Sequence, residues 1–179
     1  MVVLKGIPSI LTPELLYALA KMGHGDELVL ADANFPVSSV CKCGPIEIRA
    51  DGLRIPELLE AILKLFPLDS YVKCPAAVMD LVDSDRQQGL VVPVWSFYSA
   101  LLKQVGSDGT FDAVERFAFY ERAKKAFAVV ATGYSIILSC HESSQLCLII
   151  PWYYKTFFSF QQGDCSIWKH HYQERSHSS

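Results

Sequence analysis

The run ELVLA at residues 27–31 most constrains the fold, because it is short, apolar and bounded by polar residues on both sides. A run of this length and composition predicts a strand that is buried on both faces. The preceding pattern predicts a helix over 13–22, because Thr12 is a good N-cap, Pro13 suits the first helical position and leucines follow at helical spacing. We expect Gly23 to end this helix at the C′ position.

Strands and helices are predicted to alternate along the chain as far as residue 133. The patterns predict an extended segment at 71–79, strands at 46–50 and 127–132, helices at 56–66, 93–106 and 119–126, and a polar loop at 83–89. Helices that alternate with strands usually cover the faces of a sheet. The predicted fold class is therefore α/β, a single domain whose sheet is covered by helices.

Charge and composition restrict the partners and the compartment. The net charge of −3 provides no basic excess for nucleic acid, and no stretch of 18 apolar residues predicts a membrane span. The N-terminal residues lack the pattern of a secretory signal, so we expect a cytoplasmic protein whose six cysteines are reduced thiols. Cys41 and Cys43 form a C-x-C pair without a second pair, which is not a zinc signature.

The segment GHGDELVLADANFP, residues 23–36, contains the strongest candidate for chemistry. His24 lies between two glycines that cannot shield it, and its imidazole can donate and accept protons near neutral pH. The alternative is a histidine that only seals the end of a helix. Asp32 follows the predicted strand, where ligands of α/β sheets bind, although it could equally be a turn residue that satisfies the loop backbone.

His24 and Asp32 are separated by eight residues, which would span roughly 26 Å if fully extended. Either the loop at His24 folds back, or the two side chains contribute to one site through different subunits. The sequence leaves both possibilities open.

Other candidate residues carry weaker signals. Tyr120, in the helical segment FYERAKK, could contact a sugar, but a helix with a solvated basic face is the more common explanation of such a pattern. A nucleophilic triad could be composed of His24, Asp32 and one of the serines at 38 and 39. No G-x-S-x-G motif is present, so this alternative is disfavoured. Cysteines and histidines near the end of the chain match no compact metal site, so no metal is expected.

Together these segments resemble the ribose pyranase and fucose mutarotase family. The resemblance covers residues 1–133 and depends on the segment at 23–36, on ERFAFYERAKKAFAVVATG at 115–133, and on the spacing between them. Gly25 after His24 and the residues ANFP at 33–36 are similar to the L-fucose branch, particularly its animal members, rather than to the ribose branch.

The resemblance implies an α/β fold that assembles into ring-like homo-oligomers with sugar sites near subunit contacts. It implies interconversion of the anomers of L-fucose or a related monosaccharide without a metal or organic cofactor. His24 would be the general acid. The sugar pocket would be lined by Asp32, Asp69, Met79 and Tyr120.

The chain departs from the family pattern after Gly133. At the positions of a tyrosine and an asparagine that contact sugar in the family, this sequence has Leu138 and Cys140. Residues 134–179 are therefore interpreted as a divergent, poorly packed or disordered end, as alternative splicing would produce. We expect the loss of a closing strand and an exposed sheet edge, partly replaced by SIILS at 135–139.

The divergent end leaves several functions open. The chain is expected to be a fucose mutarotase, with activity impaired by the changed end. The alternatives are an inactive isoform that keeps the fold or associates with the intact form, and a pyranase that acts on another monosaccharide such as ribose. A peripheral membrane role through the aromatic run PWYYKTFF at 151–158 is a further, weaker alternative.

Overall fold

A computed structural model describes residues 4–133 and 156–159. Its strands and helices alternate for most of the chain. The helices are α1 (Pro13–Lys21), α2 (Val37–Cys41), α3 (Ile55–Leu63), α4 (Asp83–Gln87), α5 (Val94–Gln104) and α6 (Arg116–Ala123). The strands are β1 (Glu27–Ala31), β2 (Ile46–Arg49), β3 (Ala76–Met79), β4 (Asp112–Val114), β5 (Ala128–Ala131) and β6 (Thr156–Ser159).

The strands of the described residues form one mixed sheet in the order β2-β5-β1-β6-β3-β4. β5 pairs in parallel with both β1 and β2, and β3 pairs in parallel with β4. β6 is antiparallel to β1 and to β3, so those two strands point in the same direction. Consequently β1 to β5 end at one edge of the sheet and begin at the opposite edge.

The central strand β1 is buried on both faces by helices. Leu28 and Leu30 belong to a core cluster that includes residues of α1, α3 and α5. Val29 and Ala31 belong to a second cluster with residues of α2 and α6. The predicted α/β fold with a helix-covered sheet is confirmed. Within residues 4–133 and 156–159, no helix combines the length and apolar character needed to cross a membrane.

The first helix begins as predicted but ends differently. The Oγ1 atom of Thr12 accepts a hydrogen bond from the backbone N–H of Leu15 at 3.2 Å, which confirms the N-cap. Met22 occupies the C-cap in an extended conformation, and the left-handed backbone belongs to Gly25, with φ of 82°. Gly23 therefore follows the C-cap at the predicted C′ position, although its backbone is not left-handed. The turn is closed instead by Asp26, whose carboxylate accepts the Gly23 N–H at 2.7 Å.

Three short elements were not predicted. The expected polar loop at 83–89 contains the helix α4, and α2 and β4 also lie where no element was expected. α4 exposes its side chains and is held by a contact of Arg86 with Asp80, which precedes the helix. A helix with no buried residue has no hydrophobic periodicity to detect, which explains this error.

The divergent end contributes β6, an internal strand, at Thr156–Ser159. Phe158 lies opposite Leu28 on β1 and Ala76 on β3, is 1% exposed and belongs to the first core cluster. The expectation that the divergent end exposes the sheet is wrong for this segment, because β6 pairs with the facing edges of β1 and β3. Two statements about the end of the chain remain predictions: that SIILS partly replaces a strand, and that the domain ends at Gly133. Residues 135–139 lie outside the described part of the chain.

We predict that Phe158→Ala lowers the free energy of unfolding by about 3–5 kcal/mol, because it removes a large buried ring from the strand that joins β1 to β3. Urea unfolding monitored by circular dichroism measures this change. Phe97→Ala on α5 is the matched control, because Phe97 is 63% exposed and its removal should change stability by less than about 0.5 kcal/mol. Equal stability of the two variants would show that β6 does not hold the sheet together.

Candidate active site

A cavity of about 470 Å³ opens at the edge where β1, β2 and β5 end. Its lining includes Asp32 after β1, Arg49 at the end of β2 and Asp51 just beyond it. Ligands of α/β sheets commonly bind outside the carboxyl ends of the strands, so this cavity is a candidate for binding a small polar molecule. We call this region the carboxyl-edge site.

Asp32 is buried at the carboxyl-edge site and fixes the loop that follows β1. Its carboxylate accepts hydrogen bonds from the backbone N–H of Asn34 at 3.2 Å and from the side-chain amide of Asn34 at 3.4 Å. The backbone carbonyl of Asp32 also accepts from the N–H of Phe35. The turn function that the sequence left open is therefore present, and it fixes the position of the carboxylate at the rim of the cavity.

Arg49 and Asp51 provide the main charges beside Asp32. Their side chains are joined by two hydrogen bonds, from Nε at 3.2 Å and from Nη2 at 2.5 Å. Gly133 lies against this pair, because a Cβ at this position would come within 2.5 Å of the Asp51 Oδ1 atom. A glycine is thus required where β5 leaves the sheet. Arg49 and Asp51 were not predicted as site residues, although both lie at the end of a strand, as Asp32 does.

Tyr120 lies on α6, next to the carboxyl-edge site. Its ring contacts that of Phe35 at a centroid distance of 5.6 Å. Burial raises the pKa of the Tyr120 phenol, the nearby carboxylate of Asp32 raises it further, and Arg116 opposes the rise. The phenol therefore stays protonated at neutral pH and can donate a hydrogen bond. Met79 is the last residue of β3. Its buried side chain belongs to the second core cluster, against which Tyr120 also packs.

Side-chain contacts at its two ends stabilise α6 and fix its position. Glu115 caps the helix, because its carboxylate accepts the backbone N–H groups of Phe117 and Ala118 at 2.8 and 3.0 Å. Near the other end, Arg122 donates from Nε and Nη2 to the carboxylate of Glu27, the first residue of β1. This bidentate pair is half-buried and fixes α6 relative to β1.

His24 lies at the opposite edge, in the turn before β1. Its Nδ1 atom is 3.8 Å from the Oδ2 atom of Asp69, which is a charge contact rather than a hydrogen bond. Asp69 is 3% exposed, whereas His24 is 54% exposed. The other carboxylate oxygen accepts the backbone N–H of Tyr71 at 2.8 Å, and the Tyr71 ring meets the imidazole edge to face at 5.6 Å. We call His24, Asp69 and Tyr71 the amino-edge site.

The fold separates the predicted site residues into two groups. It brings His24 together with Asp69 at one edge, and Asp32 together with Tyr120 at the other. The five residues of β1 carry the chain roughly 16 Å between the two edges. The turn at 23–26 is too short to cross this distance, so the possibility that the loop folds back within one chain is not realised.

The amino-edge site was only partly visible in the sequence. His24 was selected from its glycine neighbours, and Asp69 came from the family resemblance alone. Tyr71 was not predicted as a site residue. Its position two residues after Asp69, in a segment typical of a turn, was the signal that could have indicated it. No group of three metal-ligating side chains converges among the described residues. Leu138 and Cys140 lie outside the described part of the chain.

Comparison with known proteins identifies the family. The RbsD / FucU transport protein family matches residues 5–140, which is most of the chain. The chain belongs to this family. The fucose mutarotase of Danio rerio is 80% identical over 133 residues, covering 74% of this chain and 86% of that protein. The fucose mutarotase of Homo sapiens is 68% identical over the same length, with the same coverage.

A solved structure of the family agrees with the fold. The fucose mutarotase of Streptococcus pneumoniae in complex with L-fucose has a TM-score of 0.72 and 38% identity to this chain. The match covers 89% of this chain and 99% of that one. The resemblance inferred from the two sequence motifs is therefore confirmed.

We predict that Asp32→Asn lowers the pKa of Tyr120, because the variant removes a negative charge that disfavours the phenolate. The fall should be smaller than the whole shift, since burial is its larger cause. Titration of ¹³C-labelled tyrosine by NMR measures the change. Asp83→Asn on the exposed helix α4 is the control and should leave Tyr120 unaffected. An unchanged Tyr120 pKa in Asp32→Asn would contradict the proximity of the two groups.

Proposed function

We propose that this protein is an isomerase that interconverts the α and β anomers of L-fucose by general acid-base catalysis. The observation that carries the proposal is the amino-edge site, where an exposed imidazole faces a buried carboxylate. Membership of the family and the names of its similar members support L-fucose as the substrate. The cavity at the carboxyl-edge site has a volume suited to a monosaccharide.

The reaction requires proton transfers and little else. A proton leaves the anomeric hydroxyl, the bond between the anomeric carbon and the ring oxygen breaks, and the ring oxygen receives a proton. The open aldehyde rotates about its bond to the next carbon, and the ring closes on the other face. A positioned imidazole can perform such transfers with typical accelerations of roughly 10²–10⁴-fold.

We assign the role of general acid to His24. Asp69 faces Nδ1 of the ring, so a proton on Nδ1 is favoured and Nε2 is available to exchange a proton with the sugar. Asp69 is buried and accepts the N–H of Tyr71, so its carboxylate is held in place where it faces the imidazole. This arrangement supports a catalytic role for His24 over the alternative that it only seals a helix end.

We further propose that one complete site contains two copies of the chain. His24 and Asp69 of one copy would face Asp32, Met79 and Tyr120 of another, since β1 separates the two groups within one copy. In this arrangement Asp32 accepts hydrogen bonds from sugar hydroxyls, and the protonated Tyr120 donates one. The burial of Met79 leaves it a supporting role in the pocket wall. The proposed assembly is a homo-oligomer, and the cytoplasmic location remains a prediction.

The divergent end supports a second candidate function. Leu138 and Cys140 occupy positions that the family resemblance assigns to two sugar contacts, so the chain would keep the fold or associate with the intact form without efficient catalysis. A pyranase acting on D-ribose is a further alternative, which the assay below tests by replacing the sugar. The peripheral membrane role is less favoured, because the end of the aromatic run belongs to β6, which is an internal strand of the sheet.

We predict that His24→Ala reduces the catalysed exchange of L-fucose anomers on the order of 10²-fold or more, because the variant removes the proton carrier. Saturation-transfer NMR at the two anomeric protons measures the exchange rate above the spontaneous background. Asp83→Asn is the control for handling and concentration, and circular dichroism checks that each variant folds.

The same assay separates the candidate functions. If the unmodified chain binds L-fucose without accelerating exchange, the second candidate is correct. If it accelerates exchange of D-ribose more than that of L-fucose, the substrate assignment is wrong. If the His24→Ala variant retains the full rate, His24 is not the proton carrier.

We predict that mixing folded His24→Ala with folded Asp32→Asn restores exchange that neither variant shows alone. If each site combines the two edges of different copies, random assembly leaves about a quarter of the sites with both native residues. The variants are mixed, partly unfolded and refolded together, and then assayed by the same NMR method. A mixture that remains as inactive as its components would show that His24 and Asp32 act within one copy or at different sites.

A further inference from the structure

The amino-edge site contains an aromatic ring that the proposed proton transfers do not use. Tyr71 is 78% exposed, although it meets the His24 imidazole edge to face at 5.6 Å. Exposed aromatic side chains also occur elsewhere on this chain, at Tyr17 and Phe97. Tyr71 differs from them because its exposed ring contacts the candidate general acid, which places an apolar surface where a substrate of His24 would bind.

The backbone fixes Tyr71 relative to both acid-base groups. Its N–H donates to Oδ1 of Asp69, whose Oδ2 faces the imidazole of His24. One buried carboxylate thus sets the position of the histidine and of the residue that carries the ring. A sugar placed within reach of the imidazole would also lie within reach of the aromatic ring.

The chemistry of L-fucose matches this ring. L-Fucose is a 6-deoxyhexose with the galacto configuration, so the hydrogens on C3, C4 and C5 and the C6 methyl group form one apolar face. Aromatic rings supply large apolar surfaces at a low cost in conformational entropy. A hydroxymethyl group in place of the methyl would bring a hydroxyl against the aromatic ring. That hydroxyl would lose its hydration without gaining a hydrogen bond.

We propose that Tyr71 is a specificity-determining residue, whose ring binds the apolar, methyl-bearing face of L-fucose at the amino-edge site. This inference rests on the proposed function and extends it to substrate choice. Tyr71 touches the sugar and takes no part in proton transfer. It favours L-fucose over L-galactose, which differs only by the hydroxyl on C6.

Tyr71→Ala and Tyr71→Phe test this role with L-fucose and L-galactose as the two sugars. Tyr71→Ala should raise KM for L-fucose on the order of tenfold, leave kcat within about twofold, and reduce the preference for L-fucose over L-galactose. Tyr71→Phe keeps the ring and should retain both KM and the preference. Tyr17→Ala is the matched control, because Tyr17 on α1 is 64% exposed and does not belong to the residues of either candidate site.

Each remaining outcome overturns the inference in a distinguishable way. A fall in kcat that is equal for both sugars would mean that Tyr71 positions His24 instead of binding the sugar. Unchanged kinetics in Tyr71→Ala, with an active unmodified chain, would overturn the role of Tyr71 while leaving the proposed function intact. An unmodified chain that neither exchanges nor binds L-fucose would overturn both.

Discussion

The burial of β1 between two helical layers is the constraint on which the rest of the structure depends. A strand that is apolar on both faces must run straight through the core, so the polar residues at its two ends cannot approach each other. His24 precedes this strand and Asp32 follows it. The same sequence that makes the core therefore separates the proposed general acid from the carboxylate proposed to bind sugar, and the proposed cooperation of the two requires a second copy of the chain.

Much of the sheet could be predicted because local patterns and tertiary structure agree there. β1 and β5 are short apolar runs, β2 alternates apolar and charged residues, and α1, α3 and α5 have hydrophobic stripes that face the core. The order of the strands could not be predicted, because pairing depends on contacts between distant parts of the chain. β6 illustrates this limit: four residues become a strand because β1 and β3 present facing edges, a property absent from the residues themselves.

The candidate site could be predicted residue by residue but not as an arrangement. His24 and Asp32 were recognisable from their local surroundings, whereas the partner of His24 is 45 residues away in sequence and was indicated only by the family resemblance. Arg49 and Tyr71 were missed because their significance arises from neighbours that the fold provides. The turn formed by Asp32 also shows that a structural and a functional role need not exclude each other.

The internal position of β6 has a consequence for how the protein forms during translation. β1 pairs with β5 and β3 pairs with β4, but the two halves of the sheet meet only through the later strand Thr156–Ser159 in the described structure. Until that segment emerges, the nascent polypeptide exposes two unpaired strand edges to chaperones and to other nascent copies. A chain that stops before residue 156 would therefore keep the sheet open between β1 and β3.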